Sequence, residues 1–236
     1  MTTPPHAVSF PRFPMADFLL ILPVLLLSVV AHEFAHAWTA YREGDDTAHA
    51  RGRLTLNPIS HLDPVMSIAV PALLWWGTKG AFTFGAARPV PVDPSKFRNF
   101  VRGDLIVSSA GIAMNFLLAI LSAVLFVALG LLGQAVPAPG VIGTLQRVAY
   151  FGIAINLLLA CFNLVPLPPL DGSHLLFHAL PKAWRAGYLR AGRYGFLILV
   201  LSLWMLPGVW HVLLWPADTL TGLARDALAP WALGTP

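Results

Sequence analysis

Long apolar runs separated by short polar segments dominate the pattern of this chain. A membrane-spanning helix needs about 20 predominantly apolar residues. Four runs approach that length, and they lie at 18–41, between 104 and 147, at 149–164 and at 196–215. Glycines and prolines at 133–140 end the second run after one full span. The pattern therefore predicts an all-α polytopic membrane protein with about four transmembrane helices.

Two segments depart from this simple pattern. Residues 62–77 are apolar, but the segment is short and contains Asp63, Pro64 and Pro71. We expect it to be re-entrant or interfacial, because irregular backbone at membrane depth is tolerated where protein or water satisfies it. Residues 81–92 combine aromatic residues and valines with prolines. This combination predicts a short β-hairpin or strand at the membrane surface.

The composition agrees with a chain that lipid surrounds. Hydrophobic residues make up 57% of the sequence and charged residues 11%, whereas a soluble domain carries about 25% charged residues. A soluble globule is therefore excluded, and we expect one integral-membrane domain over 1–236, with a core at about 18–176 and a C-terminal helix at about 196–215. The formal net charge is +4, but no basic patch contains interleaved aromatic residues, so we expect no nucleic-acid partner.

The first apolar run contains the motif His32-Glu33-Phe34-Ala35-His36. Histidines at positions i and i+4 lie on one face of a helix, so both imidazoles can bind one Zn²⁺ ion. The glutamate beside the first histidine can then act on water at the metal. An ionisable residue at membrane depth is costly, which favours a functional site over a pair of structural histidines.

A catalytic zinc site takes a third protein ligand and keeps one position open for water. Four side chains near apolar runs qualify by residue type: Cys161, Asp171, His174 and His178. Asp171 follows three prolines, at positions 166, 168 and 169, which stop the preceding helix. A carboxylate on such irregular backbone is typical of a segment that lines a cavity.

An HExxH motif in one apolar helix, followed by N-x-x-P-x-P-P-L-D-G over 163–172, resembles the site-2 protease family of intramembrane zinc metallopeptidases. Further segments are similar to the compact bacterial branch of this family, which lacks a PDZ domain. They are Gly44-Asp-Asp-Thr47, 52–58, His61-Leu-Asp-Pro64, Ala87-Arg-Pro-Val-Pro91 and Ala110-Gly-Ile-Ala-Met-Asn115. The resemblance covers about 18–176. One departure is Ile112, which stands where the family usually has proline.

The resemblance implies a role for each matching residue. His32, His36 and Asp171 would bind one Zn²⁺ per chain, and Glu33 would be the catalytic acid and base. Asn115 and Asn163 match polar positions that the family places near the site, where they would contact substrate. For His174, three residues after Asp171, position alone leaves two roles open: support of that ligand from outside the metal's own coordination shell, or a packing or surface role.

Lengths and charges predict the topology. About 21 Å of helix separates Phe18 from His32, and about 23 Å separates Ala149 from Leu164. The two motifs meet at one depth only if these helices run in the same direction, which requires that 62–77 is not a span. With that topology, 12 of the 15 basic residues share one side, and the other three are Arg12, Arg147 and Arg225. The positive-inside rule then places the zinc nearer the cytoplasmic face and the N-terminus outside.

The resemblance implies an intramembrane zinc metalloprotease that hydrolyses peptide bonds within or near transmembrane segments, an activity called regulated intramembrane proteolysis. Its partners would be a transmembrane protein substrate and the lipid bilayer, and its place the bacterial inner membrane. The sequence sets no oligomeric state. Two alternatives stay open: a catalytically inactive homologue that binds substrates, and a metal or ion transporter, for which the chain lacks internal repeats.

Overall fold

The structure is a computed structural model that describes residues 15–61, 63–77, 88–136 and 139–233. Its α-helices are α1 (Met15–Glu43), α2 (Thr47–Ala50), α3 (Val70–Gly77), α4 (Phe100–Ala135), α5 (Pro139–Asn163), α6 (Gly172–Ala179), α7 (Lys182–Gly192), α8 (Gly195–Met205) and α9 (Pro207–Leu228). Within these residue ranges the chain forms no β-strand. The all-α prediction is thus confirmed.

Three helices, α1, α4 and α5, are each long and apolar enough to cross a membrane. Residues later in α1 contact residues later in α5: Asp17 pairs with Arg147, and Ser28 accepts a hydrogen bond from Asn156. The two helices therefore run in the same direction, as the depth of the two motifs requires.

Helix α4 lies against both of these helices and runs in the opposite direction. Its Val107 contacts His36, and its Asn115, two turns further along, contacts His32, one turn back on α1. Asn99 caps the start of α4: its side chain accepts a hydrogen bond from the backbone N–H of Arg102 at 3.0 Å. This cap satisfies one of the amide groups that the first turn of a helix leaves without a partner.

Gln146 on α5 attaches the C-terminal segment after α9 to the bundle formed by α1, α4 and α5. The Gln146 amide nitrogen donates to the carbonyl of Phe126 at 3.1 Å and to that of Trp231 at 2.8 Å. Its side-chain oxygen accepts from the N–H of Leu233 at 2.8 Å. One buried amide thus joins α4, α5 and the chain after α9, beside an apolar core of α4 and α5 residues.

The predicted single helix at 196–215 is wrong in the structure. The chain forms α8 and α9 there, and their axes are bent by 97° at Leu206. Pro207 has no N–H to continue the hydrogen-bond ladder, and a residue before proline disfavours the helical conformation. The bent pair counts as a fourth span only if both helices together form one broken span.

The predicted β-hairpin or strand at 81–92 is also wrong for the part that can be compared, since 81–87 lie outside the described residues. Residues 88–92 form neither a helix nor a strand in the described part of the chain. Pro89 and Pro91 have no N–H, so this segment cannot supply a full ladder. The N–H of Arg88 instead donates to the carbonyl of His61 at 2.8 Å.

Residues 64–77 form a π-helical turn followed by α3, which is too short to span a membrane. Trp75 on α3 packs against Phe18 and Ile21 near the start of α1, and against Phe151 of α5. The carbonyl of His61 and the N–H of residue 88, which flank this part of the chain, are hydrogen-bonded to each other. A re-entrant or interfacial placement of 62–77 stays a prediction.

We predict that Gln146→Leu lowers the thermal unfolding midpoint of the full chain in detergent. The substitution removes the partner of two carbonyls and one N–H, and a buried group left without a partner costs about 1–3 kcal/mol. Gln134→Leu is the matched control, because Gln134 is an exposed amide near the end of α4. Equal midpoints for the two variants would contradict the role assigned to Gln146.

Candidate metal centre

Three side chains from distant parts of the sequence converge where α1 meets the loop between α5 and α6. The Nε2 atoms of His32 and His36 lie 3.0 Å apart. The Oδ2 atom of Asp171 lies 3.2 Å from Nε2 of His32 and 3.4 Å from Nε2 of His36. Among the described residues, this is the one group of three His, Cys, Asp or Glu side chains close enough to hold a metal ion.

The other ring nitrogen of each histidine is held by an oxygen on α4. Nδ1 of His36 lies 2.7 Å from the carbonyl of Val107, and Nδ1 of His32 lies 2.6 Å from Oδ1 of Asn115. A carbonyl only accepts hydrogen bonds, so Nδ1 of His36 must carry the hydrogen. Histidines that bind metals are typically held in this way. With Oδ1 of Asn115 as the acceptor, Nδ1 of His32 carries its hydrogen as well, so both Nε2 lone pairs point into the cluster.

Asp171 is brought to the histidines by the proline-containing segment that follows α5. Gly172 permits the tight return, because a Cβ at this position would lie 2.2 Å from the carbonyl oxygen of Leu164. The hydroxyl of Tyr188 on α7 lies within hydrogen-bond distance of the carbonyls of Pro166 and Ser173, at 3.1 and 3.2 Å. The loop that carries Asp171 is therefore braced from both sides.

The residues of the cluster fit a zinc ion. With hydrogen on both Nδ1 atoms, the two Nε2 atoms and Oδ2 of Asp171 are three acceptors that face one another, and this Oδ2 atom is buried without a hydrogen-bond donor. Such an arrangement favours a cation among the three atoms. Two imidazole nitrogens and one carboxylate oxygen are also a ligand set of catalytic zinc sites.

The backbone of α4 makes room for this site at Gly111. A Cβ at Gly111 would lie 2.4 Å from Nε2 of His36 and 2.6 Å from Nε2 of His32. Any larger residue would occupy space directly beside the two nitrogens that we expect to bind the metal. Gly111 therefore leaves the metal-facing side of both imidazoles open.

Glu33, which directly follows His32 in α1, is held by the segment 88–93. Its Oε2 atom accepts a hydrogen bond from the N–H of Val90 at 2.8 Å. The segment is fixed beyond this point, because the N–H of Asp93 donates to Oδ2 of the fully buried Asp45 at 2.7 Å. The Gly44-Asp-Asp-Thr47 motif therefore helps to place the backbone that orients Glu33.

His174 and His178 are not part of the three-residue cluster. Both lie against the buried carboxylate of Asp104 on α4, with Nδ1 of His174 at 3.1 Å and Nε2 of His178 at 2.7 Å. The hydrogen bond to Asp104 raises the pKa of His174. Of the four candidates for a third ligand, the structure brings only Asp171 to both histidines.

The remaining candidates from the sequence lie elsewhere. Asn163 donates to the carbonyl of Leu159 in its own helix at 3.0 Å, and no hydrogen bond among the described residues joins it to the cluster. Cys161 is buried in α5. Asn115 does lie at the cluster, but it contacts His32, and contact with a substrate stays a prediction for both asparagines.

Three polar residues buried in the bundle were not predicted from the sequence: Asn156, Ser28 and Asp104. Asn156 and Ser28 are polar positions within apolar runs, and Asp104 is the charge at the start of one. Polar groups at membrane depth usually face the interior of a helix bundle. That rule could have selected these residues, although it does not say which residues they contact.

Comparison with known proteins identifies the family. The model of "Peptidase family M50" matches residues 134–206. The chain is 37% identical to "Putative zinc metalloprotease YwhC" of Bacillus subtilis over 219 residues, which cover 93% of each chain. It is 35% identical to "Putative zinc metalloprotease Rip2" of Mycolicibacterium smegmatis over 187 residues, or 79% of this chain and 67% of that protein. No solved structure matches the chain significantly. The protein therefore belongs to peptidase family M50, the site-2 protease family that its motifs resemble.

Proposed function

We propose that this chain is an intramembrane zinc metalloprotease that hydrolyses peptide bonds within or near transmembrane segments of other membrane proteins. The observation that carries the proposal is the convergence of His32, His36 and Asp171 between apolar helices long enough to span a membrane. Membership of family M50 supports the same chemistry, and so do relatives named as zinc metalloproteases.

In this proposal, His32, His36 and Asp171 hold one Zn²⁺ ion per chain. Zinc bound by such a set activates water and polarises the carbonyl of a peptide bond. The protein contributes the fixed positions of its ligands: α4 orients both imidazoles through Asn115 and Val107, and the braced loop before α6 presents Asp171.

Glu33 is the residue that we assign to proton transfer. With Oε2 held by the N–H of Val90, Oε1 is the oxygen that would take a proton from the attacking water. The same carboxyl group would then give this proton to the amine that leaves the cleaved bond. Because Glu33 directly follows the ligand His32 in sequence, its carboxyl group would stay near the metal site in both steps.

The substrate in this proposal is a transmembrane helix that unwinds before it is cut. The backbone carbonyls of a helix are occupied by hydrogen bonds within the segment, which makes an intact helix a poor target. The excess of basic residues at the helix ends and connections on one side of the bundle supports a position of the site near the cytoplasmic face of a bacterial inner membrane. Arg42, Lys96 and Arg102 are among these residues.

We predict that Glu33→Gln abolishes cleavage of a model transmembrane peptide while one zinc ion per chain is retained. The amide cannot accept the proton, and loss of a general base typically lowers the rate by about 10²–10⁴-fold. Glu43→Gln is the matched control on the same helix, because Glu43 pairs with Arg102 at 3.4 Å, away from the cluster. Cleavage at the wild-type rate by Glu33→Gln would refute the assigned role.

We also predict that Gly111→Ala lowers the affinity for zinc by roughly 10–100-fold, the range seen when groups around metal ligands are disturbed. The added methyl group would displace both imidazoles from their positions. Gly143→Ala is the control, because a Cβ at Gly143 on α5 meets nothing within 4 Å. Competition with a chelator measures both affinities, and unchanged affinity in Gly111→Ala would contradict the placement of the metal.

A further inference from the structure

A chain of buried amides connects the metal centre to the middle of α5. The Nδ2 atom of Asn115 donates to Oδ1 of Asn156 at 2.9 Å. The Nδ2 atom of Asn156 donates in turn to Oγ of Ser28 at 2.9 Å and to the carbonyl of Gly152 at 2.8 Å. Asn115, Asn156 and Ser28 are 0%, 2% and 3% exposed. This series of hydrogen bonds joins α1, α4 and α5, and it ends at His32.

The orientation of the two amide groups in this hydrogen-bond series follows from its end at Gly152. The carbonyl of Gly152 can only accept a hydrogen bond, so Asn156 must turn its NH₂ group towards it. The Oδ1 atom of Asn156 then faces Asn115, which must turn its own NH₂ group towards Asn156. The Oδ1 atom of Asn115 is thereby directed at Nδ1 of His32.

The orientation of the Asn115 amide decides which nitrogen of His32 carries the hydrogen. If Asn115 were flipped, its NH₂ group would face Nδ1 of His32, which would then have to accept. A neutral imidazole carries its hydrogen on one nitrogen at a time. The hydrogen would therefore move to Nε2, where it would point at the position of the metal and prevent coordination.

We propose that Asn156 is a positioning residue that acts through Asn115 to fix the hydrogen of His32 on Nδ1, which leaves Nε2 free to bind zinc. This inference rests on the zinc site of the proposed function, but it does not depend on hydrolysis. His36 needs no such positioning residue, because the Val107 carbonyl that holds its Nδ1 atom can only accept a hydrogen bond.

The first test compares the zinc affinity of Asn156→Leu with that of Gln146→Leu in the purified full chain in detergent. Gln146 is the matched control, since it is a buried amide on the same helix whose bonds go to Phe126, Trp231 and Leu233. We expect Asn156→Leu to lower the affinity by about tenfold, at the lower end of effects for groups behind metal ligands. Gln146→Leu should lower the thermal midpoint and keep the affinity.

A double-mutant cycle tests whether Asn156 acts through Asn115. We expect Asn115→Leu alone to weaken zinc binding, and we expect Asn156→Leu to add no further loss in that background. Non-additive effects are typical of residues in one hydrogen-bond network. Full additivity of the two losses would contradict the proposal that Asn156 acts through Asn115.

The position of the hydrogen on His32 can be read directly from ¹⁵N chemical shifts of the metal-free chain labelled at histidine. The wild type should show the Nδ1–H form, and Asn156→Leu should show a mixture of both forms. Asn156→Ala, which introduces less bulk, replaces the leucine variant if that variant does not fold. An unchanged Nδ1–H signal in the folded variant would overturn the proposal.

These outcomes separate the inference from the proposed function. A wild-type chain that binds zinc but cleaves no transmembrane peptide would refute hydrolysis, while the affinities would still decide the role of Asn156. Equal zinc affinities for wild type and Asn156→Leu would refute the positioning role of Asn156 and would not affect the proposed hydrolysis.

Discussion

Three hydrogen-bond acceptors that face one another impose the constraint on which the rest of this fold depends. The Nε2 atoms of His32 and His36 and the Oδ2 atom of Asp171 are brought within 3.4 Å of one another. Such a group is unfavourable in an apolar bundle unless a cation offsets the repulsion. The parallel course of α1 and α5 brings the histidines and the aspartate to the same depth, and the antiparallel α4 supplies the oxygens that orient both rings.

The polar groups around this centre are held by partners from other helices. Asn115 joins His32 to Asn156, Val107 holds His36, and the backbone of Val90 holds Glu33. In a lipid environment, a polar group without a partner costs several kcal/mol, so these contacts stabilise the bundle and orient the site together. The same physical requirement therefore links the packing of the helices to the chemistry that we propose for them.

Much of the fold and of the centre could be predicted from local sequence. The bounds of α1 follow from its apolar run, and the spacing of His32 and His36 places both rings on one helix face. The positioning role of Asn156 could not be predicted, because it depends on side chains 41 and 128 residues apart in the sequence. The failed predictions have local causes: Pro207 breaks an apolar run long enough for one span, and Pro89 and Pro91 remove the N–H groups that a strand needs.

X-ray absorption at the zinc edge of the purified, zinc-loaded chain tests the central claim most directly, because it reports the atoms that bind the metal. We expect nitrogen and oxygen neighbours at about 2.0–2.2 Å, with the outer scattering of two imidazole rings. A sulfur neighbour at about 2.3 Å would place Cys161 in the site and contradict the assigned ligands. Scattering from three or more rings would do the same, because it would bring in His174 or His178.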